Sequence, residues 1–150
     1  MSNLVKPVDI LLVEDNPGDV QLTREAFEDC KIINNLHVAK DGEIAIDYLF
    51  QQNGYEEAIR PDIVLLDLNL PKIDGREVLQ KIKSNPQLKH IPVVILTSSK
   101  SDEDILRSYA LQANCYITKP INIDRFFEVV HAIESFWIGV VSLPHVTEKV

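Results

Sequence analysis

Short apolar runs alternate with longer amphipathic stretches along this chain, and their spacing predicts the fold. The runs DILLVED (9–15), NLHVAK (35–40), DIVLLD (62–67), IPVVILT (91–97) and CYIT (115–118) have strand length and are apolar at consecutive positions rather than at every second one. Between them apolar residues recur at helical spacing: Val20 and Phe27, then Ile44, Ile46, Tyr48 and Leu49, then Val78, Leu79 and Ile82, then Ile105, Leu106 and Tyr109. Strands apolar on both faces, alternating with helices, predict a parallel sheet covered on both sides, a doubly wound α/β fold. NLHVAK is the least apolar run and reads as an edge strand, whereas LLVED, IVLLD and VVILT read as central ones. No repeat or low-complexity segment interrupts the pattern. QQNGYEEAIRP, between the second helix and the third strand, is the one notable loop.

In open α/β sheets the ligand site lies beyond the carboxyl ends of the strands, so the last residues of each run carry the most information. They are Glu14 and Asp15 after the first strand, Asp67 after the third, Thr97 after the fourth, and Thr118, Lys119 and Pro120 after the fifth. Carboxylates gathered at one edge repel and require a cation; a small all-oxygen set suits Mg²⁺, with Mn²⁺ as an alternative. A carboxylate is also a competent nucleophile toward phosphorus once metal and ammonium neutralise the phosphoryl oxygens. Asp67 stands alone on a central strand and is the candidate acceptor, while Glu14 and Asp15 are neighbours that can share the metal. The backbone carbonyl of Asn69 can supply one more oxygen, and Pro71 and Gly75 turn the chain away to leave the site open. Each feature has a plainer reading. A lone acid at a strand end caps a helix or forms a turn, Thr97 with Ser98, Ser99 and Ser101 can cap the next helix, and an isolated Lys119 is a solvated charge. Their conjunction, each in a different βα unit, points to a site.

Composition narrows the function classes. At 150 residues, 45% hydrophobic and 25% charged, the chain is expected to form one compact domain. A formal net charge of −8 repels phosphate backbones and argues against nucleic-acid binding. Cys30 and Cys115 are far apart and have no ligand spacing, which fits reduced thiols in a cytoplasmic protein. No signal-like opening and no apolar run of about 18 residues suggests export or membrane spanning. His37, His90, His131 and His145 are scattered without ligand spacing, and the arginines form no run.

LLVEDN, LLDLNLPKIDG, VVILTSS and YITKP together resemble, in order and spacing, the receiver domain of two-component response regulators. The resemblance spans from about residue 8 to about residue 138, dividing the chain into a receiver (1–138) and a C-terminal extension (139–150). It implies a flavodoxin-like five-stranded parallel sheet of order 2-1-3-4-5. It further implies phosphorylation of Asp67, and Mg²⁺ held by Asp15, Asp67 and the carbonyl of Asn69, with Glu14 assisting through water. Thr97 and Lys119 would meet the phosphoryl group, Tyr116 would report it by turning inward, and the peptide before Pro120 would be cis. The loop before the third strand, the phrase LDLNLPKIDGREVL and the tail HAIESFWIGVVSLP are most similar to cyanobacterial phytochrome response regulators, which implies a phytochrome histidine kinase as phosphoryl donor. With no output domain expected in the chain, an unidentified downstream effector would read the switching face.

The last helix supplies a further expectation. At about 100° per residue, Ile123, Phe126, Val130, Ile133 and Trp137 share an arc that Val129, Ala132 and Phe136 widen beyond the stripe a surface helix needs. The excess either packs internally or forms an interface. The resemblance favours a homodimer through the face of the helix around residues 105–109, the fifth strand and the last helix, with Phe126, Val129, Ala132, Phe136 and Trp137 as its candidate residues. Two other function classes were open. A haloacid-dehalogenase-like aspartyl phosphatase or phosphotransferase wants a second acid two residues after the nucleophile, where this chain has Asn69. A flavodoxin-like electron carrier wants a glycine- and hydroxyl-rich phosphate loop, where this chain has EDNPGD.

Overall fold

The computed structural model of the chain describes residues 7–29, 33–98 and 115–131. Nine elements follow one another: β1 (Val8–Val13), α1 (Pro17–Glu28), β2 (Asn34–Ala39), α2 (Gly42–Leu49), β3 (Ile63–Asp67), α3 (Gly75–Ser84), β4 (Val93–Thr97), β5 (Cys115–Thr118) and, among the described residues, a last helix α4 (Ile123–His131). The expected helix around Ile105, Leu106 and Tyr109 and the extension 139–150 lie outside the described residues. All strand pairs are parallel, in the order β2-β1-β3-β4-β5.

The uniformly apolar strands are explained by what covers them. Every residue of β1, β3 and β4 is buried, and the two-residue period of a strand sends alternate side chains into two separate cores. Leu11, Val13, Val64, Leu66, Val93 and Ile95 pack with Ala45 and Leu49 of α2 and Val78, Leu79 and Ile82 of α3. On the opposite face Ile10, Leu12, Ile63, Leu65, Val94 and Leu96 pack with Phe27 of α1 and Phe126 of α4. The edge strand β2 is largely half-buried, as its composition predicts. It is anchored by a polar contact: the buried Asp9 carboxylate accepts from Asn35 Nδ2 and lies 3.2 Å from His37 Nε2.

Phe126 corrects one expectation. Its ring is 3% exposed and meets Phe27 edge to face, with centroids 5.0 Å apart. It closes the core between α1 and α4, which leaves little of the ring to display to a partner. The side chain of Val129 and residues Ala132, Phe136 and Trp137 lie outside the described residues.

Three helices follow the first three strands, and each start is capped. Asn16 Oδ1 accepts from the Asp19 N–H at 3.0 Å, with Pro17 in the first turn of α1. Asp41 caps α2 through the Ile44 N–H at 2.8 Å, and Asp74 caps α3 through the Arg76 N–H. All three caps therefore sit at the carboxyl edge of the sheet. The loop 50–62 runs along the other edge, from the end of α2 back to the start of β3. Asn53 and Gly54 at its tip are exposed and have positive φ.

Candidate functional site

The carboxyl edge brings together residues up to 105 positions apart in sequence. β1 ends just before Glu14 and Asp15, and β3 ends on Asp67. One oxygen from each of these three carboxylates lies within 4.8 Å of the others. Asp67 is 4% exposed and held at both oxygens: Oδ1 accepts from the Asn69 N–H at 3.0 Å and Oδ2 from Lys119 Nζ at 3.1 Å. Glu14 is 1% exposed; its Oε1 accepts from Lys119 Nζ at 3.1 Å and its Oε2 from the Asn16 N–H at 3.2 Å. Asp15, in contrast, is exposed. Thr97 is buried at the end of β4, where its carbonyl accepts the Lys119 N–H at 2.7 Å and so fixes where the lysine leaves β5. Tyr116 is buried in the core shared with α2 and α3. The Lys119–Pro120 peptide is cis.

Sequence reasoning missed Asp19. Its Oδ2 is 2.9 Å from Lys119 Nζ, so the ammonium is shared by three carboxylates. The signal was present in EDNPGD: a cap at Asn16 and a proline at Pro17 place Asp19 in the first turn of α1, beside the strand ends.

The β3–α3 turn that carries Asn69 is packed too closely for side chains at two glycines. A Cβ on Gly75 would lie 2.5 Å from Leu68 Cα and 2.6 Å from the Asp67 carbonyl oxygen, and one on Gly42 would collide with the Ile73 carbonyl. Lys72, in the left-handed region at φ 67°, adds ion pairs to Asp41 and Glu43 across the same contact.

Charge at this edge is unbalanced. Burial, and then the Asp67 charge, push the Glu14 carboxyl up to about 7, against the opposing pull of Lys119. Burial by itself pulls Lys119 down, but its hydrogen bond to Asp19, the Asp67 charge and the bonds to Glu14 and Asp67 outweigh it and hold the ammonium above its ordinary value. One firmly charged lysine thus faces four acids, Glu14, Asp15, Asp19 and Asp67. Three converging carboxylates with an excess of negative charge are the donor set of a hard divalent cation, and the residues present fit one.

The family model of the response regulator receiver domain matches residues 10–131. The chain belongs to this family. The receiver is 50% identical over 138 residues to the response regulator Rcp1 of Synechocystis sp., an alignment covering 92% of this chain and 94% of that protein. Rcp1 has been solved in a Mn²⁺-bound form, which superposes with a TM-score of 0.71. The bacteriophytochrome response regulator AtBRR superposes with a TM-score of 0.82 at 46% identity, covering 88% of this chain and 96% of that one. The phosphorylated cyanobacterial phytochrome response regulator RcpA gives 0.72 at 49% identity, covering 89% and 95%. The receiver is therefore a signalling protein homologous to phytochrome response regulators, and its homologues imply a histidine kinase as partner. The phosphatase and electron-carrier alternatives fall with this result. No helix among the described residues is long and apolar enough to cross a membrane.

Proposed function

We propose that this receiver accepts a phosphoryl group on Asp67 from a phytochrome histidine kinase and thereby switches its interactions with itself and with an effector. The observation that carries the reading is the shared ammonium. Lys119 Nζ bonds Asp67 and Glu14 at 3.1 Å each, so the acceptor carboxylate is buried, oriented and already next to the charge that a phosphoryl oxygen requires. Asp15 and Asp67, with the carbonyl of Asn69, would hold Mg²⁺ or Mn²⁺, and Glu14 would assist through a water. The metal would neutralise the phosphoryl oxygens during attack. Asp67 Oδ2 is the oxygen facing Lys119, while the Asn69 N–H fixes the carboxylate plane through Oδ1. Thr97, at the end of the adjacent strand, would donate its hydroxyl to the phosphoryl group, and Tyr116 would follow Thr97 in the switch.

The receiver catalyses only its own phosphoryl transfer and hydrolysis in this reading. Its partners would be cytoplasmic, with no nucleic acid and no membrane among them. A homodimer would use Val129, Ala132, Phe136 and Trp137. The 50% identity to Rcp1 and the likeness to RcpA support phytochrome as donor.

Incubation with acetyl phosphate and Mg²⁺ tests the central claim. Wild type should gain one phosphoryl group per chain by mass, and Asp67→Asn should gain none. Equal labelling of the two would refute the assignment.

A further inference from the structure

The Lys119 ammonium has three N–H donors, and three carboxylates take them: Asp19 Oδ2 at 2.9 Å, Glu14 Oε1 at 3.1 Å and Asp67 Oδ2 at 3.1 Å. While Asp67 is still the attacking carboxylate, a phosphoryl oxygen of the donor can bond this ammonium only by displacing one of them. Their burial differs sharply. The side chains of Glu14 and Asp67 are 1% and 5% exposed, whereas that of Asp19 is 30% exposed. A buried carboxylate stripped of its partner is costly, and one beside solvent rehydrates at little cost.

Resting on the phosphoacceptor reading above, we propose that Asp19 is a positioning residue, the exchangeable ligand that holds Lys119 in place before phosphorylation and yields that place to the phosphoryl oxygen. The first turn of α1 suits this exchange. The Asp19 N–H is held by Asn16 Oδ1 and its carbonyl accepts from Thr23 Oγ1 at 2.8 Å, so the side chain can leave Lys119 while the backbone stays fixed. Asp19 takes no part in the covalent step. With acetyl phosphate, an Asp67 oxygen forms a bond to phosphorus as the bond to the acetyl oxygen breaks; acetate leaves with the electron pair, and total charge is unchanged without proton transfer. Asp19 sets how readily Lys119 turns to the incoming group, so it acts as a brake on acceptance.

The test compares rates of labelling by acetyl phosphate with Mg²⁺ for wild type, Asp19→Asn and Asp19→Ala, at low salt and at 0.5 M NaCl. Asp19→Ala should label about two- to fivefold faster, the scale of a partly exposed ion pair. Asp19→Asn, which keeps an acceptor oxygen without the charge, should fall between. The gain should persist at 0.5 M salt, because it arises from direct competition at contact distance. A gain that vanishes at high salt would mean that Asp19 only repels the anionic donor, and would overturn the proposal. Unchanged or slower labelling would overturn it as well. If wild type takes no label, the phosphoacceptor reading itself fails; if wild type labels and the variants match it, only the role of Asp19 fails.

Discussion

Replacing Glu14 by Gln should make the metal-free protein more stable at high pH. A carboxyl whose pKa rises from 4.5 to about 7 on folding costs about 3 kcal/mol to keep ionised, at about 1.4 kcal/mol per pH unit. The sign follows from proton counts. Between pH 4.5 and about 7 the folded chain holds more protons than the unfolded chain, so stability falls as pH rises through that window, and this contribution is level above it. Glutamate accepts from Lys119 through Oε1 and from the Asn16 N–H through Oε2, and glutamine has one acceptor oxygen, so it keeps one of these bonds without the charge and loses the other, a cost of about 1–2 kcal/mol. Urea denaturation in EDTA should then find Glu14→Gln about 1–2 kcal/mol more stable than wild type at pH 8, with the two converging at pH 5. Asp67→Asn should flatten the same slope in part, because the Asp67 charge is the second cause of the shift. Identical pH slopes in wild type and Glu14→Gln would show that burial of Glu14 carries no such cost, and the account of charge at the site would fail with it.

Two further expectations concern packing. Gly75→Ala should destabilise the fold by about 3 kcal/mol, since both of its closest clashes are with backbone at Asp67 and Leu68; a melting temperature within about 1 °C of wild type would contradict the tight turn. Phe126→Ala should cost about 3–5 kcal/mol in urea denaturation, as expected for a ring closing the α1–α4 core. A loss under about 1 kcal/mol would return Phe126 to the surface.

Much of the fold was legible because it depends on local pattern. Apolar runs of strand length and helical spacing between them follow from the two layers of helices over β1, β3 and β4, and the central strands are buried throughout as that requires. Glu14, Asp15, Asp67, Thr97 and Lys119 could be picked out because each lies at a strand's carboxyl end, a position sequence alone identifies. Asp19 could not be picked out in the same way: it lies on a helix, and its partner Lys119 is 100 residues away. Phe126 was assigned to an interface because helical periodicity describes an arc but not what that arc touches. Only the Phe27 ring across the core decides that it faces inward. The Asp9 contact with Asn35 and His37 was equally hidden, since it depends on the register of β1 against β2.

The loop 50–62 lies at the opposite edge of the sheet from the acids. A Cβ on Gly54, at the tip of the loop, would meet nothing within 4 Å. Chain length there can change without altering the separation of Asp67 from Lys119, because both are set by strand register. The tip is therefore a natural insertion point for a fluorescent reporter, far from the acids yet joined to them through β3, whose last residue is the proposed acceptor. One strand would carry both the reporter's attachment and the event to be reported.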